Sequence, residues 1–395
     1  MQAATFPITR RAALLGLGAA FSLGRASLAL AAAPTENRFV VVLLRGAMDG
    51  MSAVQPYGDP DCASVRGALA LAEPNAAPGD TTLLDLGGFY GLHPQLANLH
   101  AMYKSGDALI LHAAAGHYRS RSHFEAQDYL ECGADQRLAS GWLNRAVAAM
   151  PAQQGRDLAL SMGVAAPLLL RGPAVVAAWA PEHFGQTPPD EFYGRLLALS
   201  AHDPVIGPAL SEGIKQRGMS PGDLAGEHGG ITVLADAAGR LLAAPNGPRI
   251  AALELAGWDT HNSQAQRLRQ QFRQLDEALG ALKAGLGDAW PHTAVLLVTE
   301  FGRTAHINGT MGTDHGTGGV AFLLGGAVAG GRVRADWPGL GSGRLFEGRD
   351  LMPTTDVRAI AKGVLAGHLG LGPAGLEAAF PGSSDAVPLA GLVRA

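Results

Sequence analysis

The chain has 395 residues, of which 47% are hydrophobic and 16% charged, so it can bury a large core and is not a disordered scaffold. Its formal net charge of −4 argues against a nucleic-acid partner, because binding through phosphates needs a basic face. The length suits an α/β fold with a single sheet, and 54 glycines and 24 prolines predict many tight turns.

Residues 1–33 predict a targeting segment, which we exclude from the fold. The pair Arg10-Arg11 precedes a weakly hydrophobic stretch that ends near Leu23, and an Ala-Leu-Ala cleavage sequence follows at 29–31. This pattern is typical of a twin-arginine export signal, so the twin-arginine machinery is an expected partner. A membrane anchor is the alternative, but Arg25 interrupts the run well short of about 18 apolar residues. We expect a periplasmic or extracellular protein that has no membrane contact after cleavage.

Two cysteines, Cys62 and Cys132, are present in the sequence. In an oxidising compartment they either form one disulfide or remain two buried thiols, and the sequence leaves both alternatives open. Two cysteines cannot form a thiolate metal site by themselves.

Apolar stretches of strand length alternate with helical patterns along residues 34–395, which we expect to form one domain. This alternation predicts an α/β fold, a three-layer α/β/α sandwich with a mostly parallel central sheet. The predicted strands are Arg38–Leu44, Ala108–His112, Leu158–Ser161, Ala174–Ala178, Ile250–Leu255, Ala294–Val298 and Val320–Leu324. The predicted helices are His93–Tyr103, Trp142–Met150, Glu191–Ser200, Ile231–Ala244, Gln264–Leu286 and one that opens near Pro353, with Thr354 or Thr355 as its cap. Residues of about 140–250 leave room for a cap or an inserted segment, and His183 there is interpreted as a surface histidine.

Polar candidates follow the predicted strands, and the carboxyl edge of such a sheet is where α/β proteins keep their ligands. They are Asp49, the pair Asp259 and His261, Glu300 with Arg303, and the pair Asp314 and His315. Residues i and i+2 of an extended chain face the same side, so Asp259 and His261 can share one metal. Carboxylates and imidazoles together suit zinc, manganese, magnesium or calcium, and the imidazoles favour a transition metal.

Ser122 and Glu125 form a Ser-x-x-Glu pattern, which predicts that a helix begins at Ser122. Ser122 is therefore either an N-cap or a nucleophile placed among the free N–H groups of a helix N-terminus. Arg119 and Arg121 add positive charge beside it, and Ser120 is a rival nucleophile.

Five motifs together resemble the DUF1501 family of exported bacterial proteins, within the wider alkaline phosphatase/sulfatase superfamily. They are Arg45-Gly-Ala-Met-Asp-Gly, Arg121-Ser-His-Phe-Glu, Trp258-Asp-Thr-His, Thr299-Glu-Phe-Gly-Arg-Thr and Thr313-Asp-His-Gly. The resemblance covers nearly all of the mature chain and implies an alkaline-phosphatase-like fold. It implies that Asp49 binds one metal, that Asp259 with His261 binds another, and that Ser122 is the nucleophile. Glu300 then takes the place of the Asp in an Asp-His pair, and His315 matches the last His.

The sequence departs from this pattern at Phe301, which follows Glu300 where the superfamily has His. One metal site then lacks a nitrogen ligand unless His123 or Asp314 substitutes, so one or two metals are expected. No Cys lies at a suitable helix start, so formylglycine chemistry is not expected.

The resemblance implies a metal-dependent hydrolase that acts on a small anionic substrate, a phosphate or sulfate ester. Arg121 and Arg303 would hold the anionic oxygens. The expected substrate contacts are Arg45, Arg119 and His123. Two alternatives remain open: a non-catalytic binding or assembly protein that retains the fold and a structural metal, and a mutase or transferase.

Overall fold

The computed structural model describes residues 36–77, 79–150, 158–163, 165–181 and 230–394. The targeting segment, the helix expected at Glu191–Ser200 and His183 lie outside these residues. The strands within them are β1 (Arg38–Arg45), β2 (Val54–Gln55), β3 (Leu84–Asp85), β4 (Gly91–Leu92), β5 (Ala108–Ala115), β6 (Ala159–Met162), β7 (Val176–Trp179), β8 (Ile250–Ala256), β9 (Thr293–Val298), β10 (Gly319–Leu324), β11 (Arg332–Arg334) and β12 (Thr355–Asp356). The α-helices are α1 (Gly50–Ala53), α2 (Cys62–Arg66), α3 (Ala97–Lys104), α4 (His123–Cys132), α5 (Trp142–Ala149), α6 (Ile231–Ala243), α7 (Gln264–Leu286), α8 (Val357–Gly367) and α9 (Pro373–Ala379).

The main sheet has β1 near its centre and runs in the order β11-β5-β10-β9-β1-β8-β6-β7, with β12 paired to β5. β1 is parallel to both β8 and β9, and β6 continues the parallel arrangement between β8 and β7. β10 alone is antiparallel to its two neighbours, β5 and β9. Every residue of β9 and β10 is buried, as expected of near-continuous apolar strands covered on both faces. The predicted mostly parallel sheet is confirmed. A small antiparallel sheet, β2-β4-β3, lies apart from it.

Helices cover both faces of the main sheet, because alternate residues of its central strands point to opposite sides. From β1, Val40 and Val42 belong to the core shared with α3, α6 and α7. Phe39 and Val41 belong to a second core, shared with α5, α8 and α9. The predicted three-layer α/β/α sandwich is therefore confirmed. Among the helices of the described part, none has both the length and the apolarity to cross a membrane.

Two helix starts differ from the sequence prediction. α3 begins at Ala97 and not at His93, because the Asp276 carboxylate on α7 accepts the backbone N–H groups of Asn98 and Leu99, at 2.9 and 3.0 Å. α8 begins at Val357 and is capped by Asp356, whose carboxylate accepts the N–H of Arg358. The predicted caps Thr354 and Thr355 are wrong, because Thr355 and Asp356 pair with β5 in extended conformation.

The described parts of the region where a cap was expected belong to the main body of the protein. β6 and β7 extend the main sheet, while α5 and α6 contribute to its two opposite cores. Cys62 and Cys132 are both free and buried, and burial raises the pKa of the Cys62 thiol to about 11. The thiol of Cys62 is therefore protonated and unreactive near neutral pH.

Candidate metal centre

The loops that follow β1, β8 and β9 pack directly on one another. Gly46, after β1, has a φ of +114°, and a Cβ there would lie 2.6 Å from the backbone nitrogen of Asp259. Only glycine allows this close approach. The N–H of Gly46 also donates to Oε1 of Glu300, at 2.8 Å. Three separate strand ends are thus fixed against each other, which supports the expectation that their polar residues meet.

Three histidines and one aspartate converge in this region, and we call them the His–Asp cluster: His123, His261, His315 and Asp259. The Nε2 atom of His315 lies 3.0 Å from Nε2 of His123 and 3.0 Å from Nε2 of His261. The Oδ1 atom of Asp259 lies 3.6, 2.9 and 3.4 Å from the Nε2 atoms of His123, His261 and His315. His123, Asp259 and His315 form a candidate metal-binding triad. His261 adjoins the triad, because its Nε2 atom contacts His315 and Asp259.

Each histidine is held by a group that accepts a hydrogen bond at its Nδ1 atom. The acceptor is the Glu300 carboxylate for His123 (2.8 Å), the Asp314 carboxylate for His261 (3.3 Å) and the backbone carbonyl of Arg121 for His315 (2.8 Å). Because ionised carboxylates and carbonyls only accept, Nδ1 of each ring carries its hydrogen. Each neutral ring then has a lone pair on Nε2, and the three lone pairs meet a carboxylate oxygen.

This donor set fits a divalent transition metal. Zinc bound to imidazole nitrogen and carboxylate oxygen at about 2.0–2.1 Å in tetrahedral geometry has neighbouring ligand atoms about 3.3–3.4 Å apart. The separations of His315 from His123 and from His261, and of Asp259 from all three histidines, range from 2.9 to 3.6 Å around that value. Four lone pairs this close repel one another unless a cation lies among them. The anchored Nδ1–H groups are the outer contacts that metal-binding histidines characteristically make.

The cluster is accessible from solvent, and its surroundings shift the pKa values of Asp259, His123 and His315. The side chains of His123 and Asp259 are 21% and 44% exposed. Burial alone would raise the pKa of Asp259. The positive charge of Arg303, followed by the smaller effects of the three histidines, outweighs burial and keeps that pKa below its ordinary value. The hydrogen bond to Glu300 raises the pKa of His123, while burial lowers the pKa of His315. A small ligand can therefore reach an anionic oxygen set among imidazoles.

Glu300 and Asp314, which the sequence suggested as metal ligands, lie behind the histidines. Glu300 is buried, and its Oε1 atom accepts from Gly46, His123 and Gln127, while Oε2 lies 2.9 Å from the Thr299 hydroxyl. Burial raises the pKa of Glu300, but these hydrogen bonds, led by that from His123, outweigh it and hold the pKa low. In this arrangement both carboxylates orient histidines and do not themselves belong to the cluster.

Asp49, also expected to bind metal, is buried in a different set of contacts. Its Oδ1 atom accepts the N–H groups of Met51 and Ser52 and caps α1. Its Oδ2 atom accepts from the Ser52 hydroxyl, Gln264 and the guanidinium of Arg66. Although burial favours the neutral acid, the Arg66 charge keeps the pKa of Asp49 below its ordinary value. The structure does not bring Asp49 together with the histidines.

Two of the four arginines expected to bind substrate, Arg121 and Arg45, have their charge taken up by pairs of carboxylates. Arg121 donates to Asp350, which is fully buried, and to Glu347, at 2.8 and 2.5 Å. Arg45 pairs with Glu131 and Glu254. Arg119 is exposed and bonds the carbonyl of Gly116. Paired in this way, Arg121 and Arg45 offer little free charge to an anion.

Arg303 differs from these arginines. It is buried, and its Nη2 atom donates to Oδ1 of Asp259 at 2.9 Å. Its Nε and Nη1 atoms are buried and have no hydrogen-bond partner among the described residues. Buried N–H groups without acceptors cost about 1–3 kcal/mol each, so they favour an anion or water as partner.

Ser122 has the N-cap position of α4, as expected from the sequence, but its side chain makes no capping hydrogen bond. Glu125 does not complete a capping box, since its carboxylate accepts the Tyr118 hydroxyl at 2.5 Å. The residues on either side of Ser122 both contact His315 of the cluster. Arg121 does so through its backbone carbonyl and His123 through its imidazole. The Ser122 hydroxyl thus does not cap α4, and Ser122 lies between two residues that contact the cluster.

Several residues of this region were not singled out from the sequence. Arg66, Gln127, Gln264 and Asp350 all contact predicted site residues from distant parts of the chain. Gln127 had a weak signal, since it lies one helical turn after His123 and shares its acceptor, Glu300. The partners of Arg66 and Asp350 are set by tertiary packing, and no local pattern marks them.

The fold and the His–Asp cluster define an α/β/α sandwich protein with a candidate transition-metal centre at the carboxyl edge of its sheet. The chain belongs to the family described as "Protein of unknown function (DUF1501)", whose sequence pattern matches residues 115–375. No curated protein matches the sequence.

Three solved structures are among those similar to this chain. The C-terminal periplasmic domain of EcEptC from Escherichia coli, in complex with Zn, has 9% identity and a TM-score of 0.36, with 75% of each chain covered. The phosphonate monoester hydrolase of Agrobacterium radiobacter has 12% identity and a TM-score of 0.32, with 75% of this chain and 70% of that chain covered. An alkaline phosphatase superfamily protein from Vibrio parahaemolyticus has 12% identity and a TM-score of 0.32, with 80% and 69% covered. At these identities the similarity concerns the fold alone.

Proposed function

We propose that this protein is an exported, metal-dependent hydrolase of phosphate or sulfate esters. The observation that carries the proposal is the convergence of three Nε2 lone pairs and the Asp259 carboxylate, each histidine being oriented through Nδ1. His123, His261, His315 and Asp259 would hold one divalent transition metal. Bound there, the metal would act as a Lewis acid that stabilises negative charge developing on the ester oxygens.

Ser122 is the proposed nucleophile. Its hydroxyl is free of capping and lies at the N-terminus of the ten-residue helix α4, where free N–H groups and the helix dipole favour an anion. The Ser122 oxygen would bond to phosphorus or sulfur as the bond to the leaving group breaks, and the hydroxyl proton of Ser122 would pass to the departing alkoxide. Water would then add to phosphorus or sulfur and break the bond to Ser122, which releases the anion and returns a proton to the serine oxygen.

Arg303 is the proposed anion-binding residue. Among the four candidate arginines, Arg303 has buried N–H groups, at Nε and Nη1, that have no hydrogen-bond acceptor among the described residues. A charge-assisted hydrogen bond from such a group is about twice as strong as a neutral one. Arg121 is assigned a positioning role, because its carbonyl fixes His315 while its guanidinium is occupied by Asp350.

A second candidate function is that of a periplasmic binding or assembly protein that retains the fold and a structural metal. The ion pairs of Arg121 and Arg45 favour it, because they remove two cations that an ester-binding site would use. In both cases residues 1–33 are proposed to direct export through the twin-arginine route, and the mature protein is proposed to be periplasmic or extracellular.

The test uses the purified mature chain loaded with Zn²⁺ or Mn²⁺, with 4-nitrophenyl phosphate and 4-nitrophenyl sulfate as substrates. Ser122→Ala is expected to lower kcat at least about 1,000-fold while leaving the metal content unchanged. Ser120→Ala is the matched control, because Ser120 is exposed and two residues away, and it is expected to retain full activity. Full activity of Ser122→Ala would refute the assignment of Ser122 as the nucleophile. Bound metal without turnover across a panel of esters would favour the binding protein.

A further inference from the structure

Asp49 lies at the end of the central strand and is a carboxylate that a second metal would need, yet its oxygens are already filled. A carboxylate offers about four lone-pair sites. Asp49 accepts five hydrogen bonds, from two backbone N–H groups, the Ser52 hydroxyl, the Gln264 amide and Arg66. A metal at Asp49 would have to displace several of these donors at once.

Arg66 is the donor that matters most, because it is a permanent cation. Its side chain is fully buried and is fixed from two directions. The Nη2 atom donates to Asp49 and to the Ser52 hydroxyl, and the Nη1 atom donates to the carbonyl of Ala305 at 3.0 Å. A metal at Asp49 would leave this charge buried without its partner, which is strongly unfavourable.

The other groups around Asp49 do not form a metal-binding set either. His112 is near enough for its pKa to be affected by the charge of Asp49, but Nε2 bonds the carbonyl of Val54 and Nδ1 accepts the N–H of Ala113. The amide oxygen of Gln264 accepts the hydroxyls of Thr260 and Thr313. Neither the imidazole nor the amide has a lone pair free for a metal.

We infer that the ion pair between Arg66 and Asp49 excludes a metal from Asp49, so that the protein binds a single metal ion per chain, at the His–Asp cluster. The inference deepens the proposed function and rests on its metal centre. The charges of Arg66 and Asp49 then neutralise each other, so neither is available to a metal. The number of metals expected from the resemblance, one or two, is thereby narrowed to one.

The experiment is a metal count on the purified mature chain, saturated with Zn²⁺ or with Mn²⁺ and freed of unbound ions before elemental analysis. The wild type is expected to hold one ion, Asp49→Asn one ion and His315→Gln none. Two ions in the wild type, with one lost in Asp49→Asn, would overturn the inference while leaving the metal centre intact. No ion in the wild type would overturn the metal centre itself.

The wild-type count does not depend on the folding of any variant. A second measurement uses the rise in Tm on addition of metal to chelator-treated protein. That rise is expected to be the same in the wild type and Arg66→Lys, which keeps the buried charge, and to be absent in His315→Gln. A second binding phase in the wild type that disappears in Asp49→Asn would contradict a single site.

Discussion

Replacing Glu300 by Gln should weaken metal binding about tenfold, near the low end of the 10–100-fold range for residues that orient metal ligands. The low end applies because the structure can accommodate the amide. Oε1 of Gln can still accept from Gly46, His123 and Gln127, as Glu300 does. The new amide N–H can donate to the Thr299 hydroxyl, which itself donates to the carbonyl of Leu44.

The substitution therefore removes the charge behind His123 and keeps the hydrogen bond. Tenfold corresponds to about 1.4 kcal/mol in binding free energy. Glu300→Ala removes the charge and the hydrogen bond together, so the loss of affinity should approach about 100-fold. The two variants separate the electrostatic part of the effect from the orienting part.

The assay is competition for Zn²⁺ against a chromogenic chelator at pH 8. That pH matters because the hydrogen bond to Glu300 raises the pKa of His123, so protons compete with metal at lower pH. Loss of the Glu300 charge also lowers that pKa, and the difference between wild type and Glu300→Gln should shrink towards pH 6. Glu377→Gln is the control, since Glu377 is an exposed residue of α9 whose carboxylate accepts from the N–H of Gly382. Affinities within twofold of wild type for both Glu300 variants would refute the assignment of His123 as an oriented ligand.

Two further predictions concern the loops and the buried ion pair. Gly312→Ala should lower the free energy of unfolding by about 1–3 kcal/mol and weaken metal binding, because a Cβ there would lie 2.2 Å from the backbone of His261. Gly309→Ala, which meets nothing within 4 Å, is its control in denaturant titrations and should be neutral. Arg66 holds the pKa of Asp49 low despite burial, so the ion pair stabilises the fold above the ordinary aspartate pKa of about 4, and this stability is lost as the pH falls through the folded-state pKa. The unfolding midpoint of Asp49→Asn should thus depend less on pH in that acid range than that of the wild type, and equal slopes would contradict the pairing.

Buried strands could be predicted from the sequence because their apolar composition is sufficient to specify them. The strand predicted at Arg38–Leu44 spans Arg38–Arg45 in the structure, and the strand predicted at Val320–Leu324 spans Gly319–Leu324. Helix starts were predicted less well wherever the cap comes from another element. Asp276, on α7, determines where α3 begins, and no local pattern near His93 reveals it.

In the candidate site, too, features set by the local sequence could be predicted, and features set by contacts between distant segments could not. Asp259, His261 and His315 could be predicted to meet, because they flank strands of one sheet and the carboxyl ends of parallel strands share an edge. His123 was noted as a substitute for the histidine missing at Phe301, and the structure places it in the cluster. The partners of the arginines could not be predicted. Arg121 pairs with Asp350, 229 residues away, and that contact depends on the completed fold.

The outer contacts of the cluster also argue that its charge balance includes a cation. Two carboxylates, Glu300 and Asp314, and the Arg121 carbonyl come from three separate segments and all face Nδ1 atoms. Together they leave every ring with its Nε2 lone pair near Asp259, whose Oδ1 atom accepts from the Arg303 guanidinium. That hydrogen bond offsets the carboxylate charge but uses none of the imidazole lone pairs. Protonating one ring would relieve part of the repulsion, but only one lone pair would be used. A metal ion accepts lone pairs from several donors at once, so the proposed metal centre would make this set of oriented side chains mutually stabilising.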